Sequence, residues 1–204
     1  MGSTDATRSA STGAGVKERI LDAAVDLLAR SGPRALAQPQ VAKEAGVPQG
    51  HLTYYFPKKV DLVLAVAGRL RELLAAEVAP LLAEAGAEGF EHRFLALGAR
   101  LAQNRGRTRM LLGLLAEIEH EPLVRAHMQE GFLQLRRAFG LAMGRDEGDP
   151  DIDLTIATLW GLGLQHLLLE GQRSDEETAQ LFGRLAEGVE RPFSRRRRSR
   201  RPPA

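Results

Sequence analysis

Cysteine is absent from this chain of 204 residues, which excludes disulfide bonds, thiolate metal sites and cysteine nucleophiles. Long hydrophobic runs are also lacking. The longest uncharged apolar run, Leu154 to Leu169, is shorter than the roughly 20 residues that a membrane-spanning helix needs. The N-terminal segment is rich in Ser, Thr, Ala and Gly and has no apolar core of the kind found in secretory signals. We therefore expect a cytoplasmic protein.

The sequence patterns of common active sites are lacking as well. No glycine-rich phosphate loop follows a predicted strand, and no spacing of Ser, His and Asp suggests a catalytic triad. One cluster has metal-ligand spacing, namely Glu117, His120 and Glu121, with His127 further on. Such spacing is common on solvated helices, and the chain has no H-E-x-x-H helix. We predict no enzyme, no metal site and no cofactor.

Charge is distributed unevenly along the chain. Residues 1–60 have a net charge of +3, residues 61–190 a net charge of −8, and residues 191–204 a net charge of +7 from seven arginines. An acidic middle would be repelled by phosphate, so only the two ends can face nucleic acid. The arginine-rich end is either a non-specific electrostatic arm for DNA or a solvated tail without a role.

Apolar residues recur at helical spacing over most of the chain, and no segment reads as a strand. The fold class predicted is all-α, with helices at about 16–30, 38–45 and 49–55. A long helix follows from Lys59 or Asp61, which Pro80 should kink or end. Further helices extend to a last one that begins at Ser174, where Glu177 would complete a capping box. The predicted order is a disordered leader (1–13), a DNA-binding domain (14–75), a helical effector-binding and dimerisation domain (76–191) and a disordered basic tail (192–204).

The most informative stretch runs from Ala45 to Lys59. Gly46 supplies the left-handed residue that ends one short helix, and a second short helix follows after a brief turn. Val47 and Leu52 are expected to face back into a small core. This is the arrangement of a helix-turn-helix, whose second helix enters the DNA major groove.

Side chains on the outer face of this second helix would read bases, and residues beside it would contact phosphates. Glutamine pairs with adenine, and threonine can contact the thymine methyl group. The alternative is an ordinary solvated pair of helices. The candidate DNA-binding residues are Gln38, Gln40, Gln49, Gly50, His51, Thr53, Tyr54, Tyr55, Lys58 and Lys59.

The stretch from Val16 to about Leu62 resembles the N-terminal DNA-binding domain of the TetR family of bacterial transcriptional regulators. The elements that carry the resemblance are Ala45-Gly46-Val47, Gly50-His51-Leu52, Tyr55-Phe56 and Lys59 before an apolar helix. Two positions depart from the family pattern. Ala37-Gln38-Pro39-Gln40 stands where the family usually has a Ser or Thr, and Thr53 stands where it usually has tyrosine. The resemblance predicts the way the helix docks on DNA, but not the operator sequence.

The helix predicted over residues 151–170 is apolar nearly all round, so it must be buried on more than one side. Only one helix follows it, and we expect a second copy of the chain to cover the remaining face. The alternative is a helix in the centre of a monomer. The resemblance also implies dimerisation through the last two helices. The candidate interface residues are Leu164, Leu168, Leu181 and Leu185.

The resemblance further implies that the helical body binds a small apolar effector. Candidate pocket residues lie on the apolar stripes of the body: Phe94, Met110, Leu114, Glu117, Met128, Phe132, Trp160 and Gln165. The alternative is that these residues form ordinary core and interface contacts. The function predicted is a homodimeric repressor that such an effector releases from a palindromic operator. The alternative is a constitutive DNA-binding regulator with no ligand.

Overall fold

The computed structural model describes residues 4–84, 90–169 and 174–188, and these residues are helical apart from short connections, which confirms the all-α prediction. One 3-10 turn, Pro33–Leu36, precedes the second α-helix. None of the described helices is long and apolar enough to cross a membrane. The described α-helices are α1 (Thr4–Ser31), α2 (Gln38–Glu44), α3 (Gln49–Tyr55), α4 (Lys59–Ala83), α5 (Phe90–Gln103), α6 (Arg105–Glu117), α7 (Pro122–Met143), α8 (Pro150–Leu168) and α9 (Asp175–Gly188).

The connection between α2 and α3 forms as the sequence predicts. Gly46 has φ of 63°, the left-handed conformation that glycine adopts without a steric cost. Its N–H donates to the carbonyl of Lys43 (3.2 Å), and the N–H of Val47 donates to the carbonyl of Ala42 (3.0 Å). These two bonds satisfy carbonyls at the end of α2 in a Schellman motif. The turn therefore fixes the direction in which α3 leaves α2.

Two helix boundaries differ from the sequence-based expectations. α1 begins at Thr4, whereas we predicted a disordered leader over residues 1–13 and a helix from about Val16. Residues 4–16 contain no proline, and their two glycines, Gly13 and Gly15, each cost only about 1 kcal/mol in a helix. α4 continues past Pro80 and ends at Ala83, because a proline in the last turn removes one hydrogen bond without breaking the turns before it.

The chain forms two compact units, each built from two separate segments. The first unit comprises Met1–Glu77 and Asn104–Phe132, and the second comprises Val78–Gln103 and Leu133–Ala204. The predicted domains were continuous in sequence, with a boundary after residue 75. The assignment of functions to those domains stays a prediction, and the predicted basic tail lies outside the described residues.

The first unit has a core in which α6 packs together with the N-terminal helices. Its fully buried side chains include Ile20, Leu28 and Leu62. α6 lies very close to α1, since a Cβ added at Gly113 would lie 2.7 Å from Cδ1 of Leu28. We predicted that α6 lies in the effector-binding domain, whereas its apolar face packs in the same core as the helix-turn-helix.

The second unit contains α5, α8 and α9, with an edge-to-face pair of Phe94 and Phe139 whose ring centroids are 5.2 Å apart. The N-terminus of α9 has the predicted capping box. The N–H of Ser174 donates to Glu177 Oε2 (2.8 Å), and the N–H of Glu177 donates to Ser174 Oγ (3.1 Å). At the start of α8, the N–H of Asp151 donates to the carboxylate of Asp149, which lowers the pKa of that carboxyl group.

Candidate nucleic-acid interface

The short helix α3 has one face buried in the core and one face exposed to solvent. Leu52 is 0% exposed and packs in the core of the first unit, together with Phe56 just beyond the helix. The residues predicted to face the groove all lie on the exposed side: Gln49, Gly50, His51, Thr53 and Tyr54. Tyr54 extends furthest from the protein and is 78% exposed. The structure therefore presents this polar face to a ligand, while its contact with DNA stays a prediction.

Two of these outward residues already contact neighbours in α3. The hydroxyl of Thr53 donates to the carbonyl of Gln49 (3.0 Å), so its methyl group and an oxygen lone pair remain for a base. The ring of Tyr54 packs edge-on against the ring of Tyr55, with centroids 5.0 Å apart. Tyr55 is half-buried against the core of the first unit.

Gln38 has a contact that the sequence did not predict. Its Nε2 donates to the carbonyl of Phe56 at 2.9 Å, just beyond the end of α3. Carbonyls at the end of a helix have no partner within the helix, so a nearby amide group stabilises them. We expected Gln38 to contact a phosphate, but in this structure its amide joins the start of α2 to the end of α3. Gln40, in the same turn, is exposed.

The predicted phosphate-binding lysines lie where α4 begins. The N–H of Lys58 donates to Asp61 Oδ2 at 2.8 Å, which fixes the first turn of α4. Both lysine side chains are exposed, but Lys59 is paired. Its Nζ lies 2.6 Å from Oε1 of Glu117, the last residue of α6. Glu117 was predicted to line an effector pocket, and the structure instead places it against a predicted DNA contact.

Two further cations were missed by the sequence-based reasoning. Arg34 lies in the 3-10 turn before α2, and Lys43 lies on α2, and both are exposed. No ion pair of either side chain is found among the residues that the structure describes. Their position beside the helix-turn-helix, together with their charge, was the signal that could have identified them.

The predicted pocket residues divide between the two units. Met110, Leu114, Glu117, Met128 and Phe132 belong to the first, whereas Phe94, Trp160 and Gln165 belong to the second. Met110 and Leu114 are buried in the core that includes the helix-turn-helix, which is a sufficient reason for their apolar character. The pocket stays a prediction.

Three of the leucines predicted to form the interface are unusually exposed to solvent for apolar residues. Leu164 is 39% exposed, Leu168 is 72% exposed and Leu181 is 38% exposed. The side chain of Leu185 lies outside the described part of the chain. On α8 the exposed or half-exposed residues Leu154, Ala157, Gly161, Leu164 and Leu168 recur at three- and four-residue spacing, which places them along one side of the helix.

Known proteins resemble the chain most clearly in its N-terminal part. The tetR family of bacterial regulatory proteins matches residues 20–66. The HTH-type transcriptional regulator RutR of Escherichia coli (strain K12) is 42% identical over 65 residues, which are 32% of this chain and 29% of RutR. The match thus spans less than a third of the length of that curated relative.

Solved structures extend the similarity over most of the chain. A member of the TetR family from Streptomyces coelicolor A3 is 25% identical, with a TM-score of 0.66 over 83% of this chain and 97% of its own. The multidrug binding protein EbrR complexed with ethidium is 26% identical, with a TM-score of 0.63 over 83% of this chain and 97% of its own. A transcriptional regulator from Rhodococcus sp. Rha1, at 20% identity, shares the fold with a TM-score of 0.74 over 86% of this chain and 96% of its own.

Proposed function

We propose that this chain, which matches the tetR family of bacterial regulatory proteins over residues 20–66, is a DNA-binding transcriptional regulator and a homodimeric repressor of a palindromic operator. A small apolar effector would release it from that operator. The observation that carries the proposal is α3, whose outer face is wholly exposed and polar and whose inner face is anchored by Leu52.

We propose that the outer face of α3 reads the base sequence of the operator in the major groove. Gln49 stands first in the helix and can pair with adenine through its amide. His51 and Tyr54 are exposed in the following turn, and Gly50 has no neighbouring atom within 4 Å of an added Cβ. We propose that Gly50 allows close approach of the backbone to the groove, while Gln49 and His51 contact base edges.

The position of α3 on DNA would be fixed by cations around it. Arg34, Lys43, Lys58 and Lys59 are exposed on the segments before, within and after the helix-turn-helix. Cations bound to phosphates contribute affinity without base specificity, and that part of the affinity falls as salt rises. We propose that Arg34 and Lys43 join the phosphate contacts, and that Gln38 supports α3 through its bond to Phe56 rather than by binding DNA.

Dimerisation is proposed through the exposed stripe on α8 together with α9. Leu168 alone leaves 72% of its surface in water in the single chain. Gly161 lies in the middle of the stripe, and an added Cβ there would meet no atom of its own chain within 4 Å. A small residue flanked by leucines suits the close approach of a second helix. A two-fold dimer would present two copies of α3 to successive major grooves, as a palindrome requires.

An effector is proposed by analogy with similar structures. EbrR has been solved with imidazole, malachite green and ethidium, and a putative regulator from Saccharomonospora viridis with choline. A constitutive regulator without a ligand is the second candidate, and the burial of Met110 and Leu114 in the core of the first unit favours it. Titration with apolar and cationic small molecules distinguishes the two. An effector should raise the melting temperature and weaken operator binding, whereas a constitutive regulator should show neither change.

Selection of bound sequences from a random DNA pool tests the function as a whole. The selected site should be an inverted repeat with half-site centres about one helical turn apart or slightly more, since two-fold dimers read palindromes. The matched control is Gln49→Ala, which should select a site altered at one or two symmetric positions. A selected site without two-fold symmetry would contradict the dimeric mode of binding, and no enrichment at all would contradict the function.

A further inference from the structure

The ion pair between Lys59 and Glu117 joins a proposed phosphate contact to the end of α6. Their charged atoms are 2.6 Å apart, although the residues are separated by 58 positions in the sequence. The side chain of Glu117 is only 16% exposed, whereas that of Lys59 is 54% exposed. The carboxylate is therefore the better enclosed partner, and the ammonium group lies at the surface where a phosphate would approach.

The end of α6 is held in place by packing. A Cβ added at Gly106 would lie 3.3 Å from Cβ of Ala29, and one added at Gly113 would lie 2.7 Å from Cδ1 of Leu28. α6 therefore lies against α1 along its length. Because Glu117 is the last residue of this closely packed helix, its backbone is held in place within side-chain reach of Lys59.

The other carboxylate near the start of α4 has a different partner. Asp61 accepts the N–H of Lys58 at 2.8 Å and so serves the first turn of the helix. Within the described chain, Glu117 is the acidic partner recorded for Lys59. The charge available to a phosphate at this position thus depends on Glu117.

We infer that Glu117 sets the affinity for DNA by acting as a counter-charge to Lys59. The inference rests on the proposed phosphate contact of Lys59. A paired ammonium group brings little net positive charge to the phosphate, so fewer counterions are released when the protein binds. Since an ammonium group has three N–H donors, it can bind a phosphate while it keeps its bond to the carboxylate. Glu117 therefore positions Lys59 and also reduces its contribution to affinity.

The variant Glu117→Gln tests the inference, because it removes the negative charge and keeps the size and hydrogen-bonding ability of the side chain. We expect the affinity for operator and for random DNA to rise about 1.5- to fivefold per subunit in moderate salt, as the coupling of an exposed ion pair allows. The slope of log affinity against log salt should become steeper by up to about one per subunit. Fluorescence anisotropy at several salt concentrations measures both quantities.

Two controls separate this effect from a change in net charge or in folding. Glu119→Gln makes the same substitution two residues away, where the carboxylate is 74% exposed and lies 3.9 Å from Arg125. It should leave DNA affinity nearly unchanged. In a Lys59→Ala background, Glu117→Gln should have no effect on binding. Should Glu117→Gln fail to fold, Glu117→Ala removes the same charge and should show the same rise in DNA affinity, while an unchanged affinity in that folded variant would overturn the inference.

The outcomes distinguish the inference from the proposed function. If Lys59→Ala binds DNA as tightly as the unchanged chain, the proposed phosphate contact is wrong. If Lys59→Ala weakens binding but Glu117→Gln does not strengthen it, with the melting temperature preserved, the counter-charge role is overturned. The counter-charge role would also be overturned if Glu117→Gln raised DNA affinity in the Lys59→Ala background, or if Glu119→Gln raised it to the same extent.

Discussion

The proposed dimer predicts that Leu168, at the end of α8, is buried against the second copy of the chain. This residue is 72% exposed in the single chain, so a partner would remove a large apolar area from water. Full burial of a leucine contributes about 1.5–3 kcal/mol, and burying this fraction would contribute about 1–2 kcal/mol per copy. A two-fold interface contains the residue twice, so its loss would cost about 2–4 kcal/mol.

The substitution Leu168→Glu adds a second penalty. Each copy would bring a carboxylate into the apolar interface, and removing an ion from water costs several kcal/mol even after local relaxation. The combined loss is about 4 kcal/mol or more, and each 1.4 kcal/mol is a factor of ten in the dissociation constant. The dimer dissociation constant should therefore rise by about a thousandfold or more, and operator binding should fall with it.

Sedimentation velocity over a range of protein concentrations measures this change. The matched control is Leu123→Glu on α7, where the leucine is 63% exposed and lies in the first compact unit. That control should remain dimeric and bind the operator normally. A Leu168→Glu chain that sediments as a dimer at micromolar concentration would refute the assignment of this face. Equal loss of dimer in both variants would show that the stripe on α8 has no special role.

Three further predictions concern readout, packing and acid stability. Gln49→Ala should change base preference at one or two operator positions, by about 1–3 kcal/mol per lost pair, in competition binding assays. Gly113→Ala should lower the free energy of unfolding by up to about 2 kcal/mol in urea melts, because the cost of a Cβ that lies 2.7 Å from a buried leucine methyl group exceeds the gain of about 1 kcal/mol from replacing a helical glycine. Gly68→Ala, with open space, should raise it by up to about 1 kcal/mol. Burial lowers the pKa of His127, so stability should fall as pH drops through about 6.5, and His127→Gln should remove that loss. The lowered pKa of Asp149 should add a further loss below about pH 4, measured by the same urea melts.

The features predicted correctly from sequence are those that short segments determine. The left-handed Gly46 and the inward face of α3 follow from a glycine position and an apolar spacing within a few residues. The capping box of Ser174 and Glu177 has the same local origin. In each case the partner is at most five residues away, so the pattern contains both halves of the interaction.

Contacts between distant segments could not be predicted in this way. Gln38 carries an amide donor, but nothing near it in sequence shows that the carbonyl of Phe56 lies 2.9 Å away. Likewise, the apolar stripe of α6 shows that one face is buried without showing which helix covers it. Met110 and Leu114 were assigned to an effector pocket, whereas α6 packs on α1 in the first unit.

The net charge available to DNA also depends on contacts between distant segments, so it cannot be read from the sequence alone. Residues 1–60 have a net charge of +3, but Lys59 is paired with Glu117, which lies in the acidic middle of the sequence. Arg30 is likewise paired with Glu44 at 2.5 Å. The exposed cations left beside α3 without a recorded ion pair in the described chain are Arg34, Lys43 and Lys58. Counterion release follows the cations that neutralise phosphates, so among the cations of the helix-turn-helix these three should contribute most to the salt dependence of DNA binding. Lys59 adds to it to the extent that Glu117 allows.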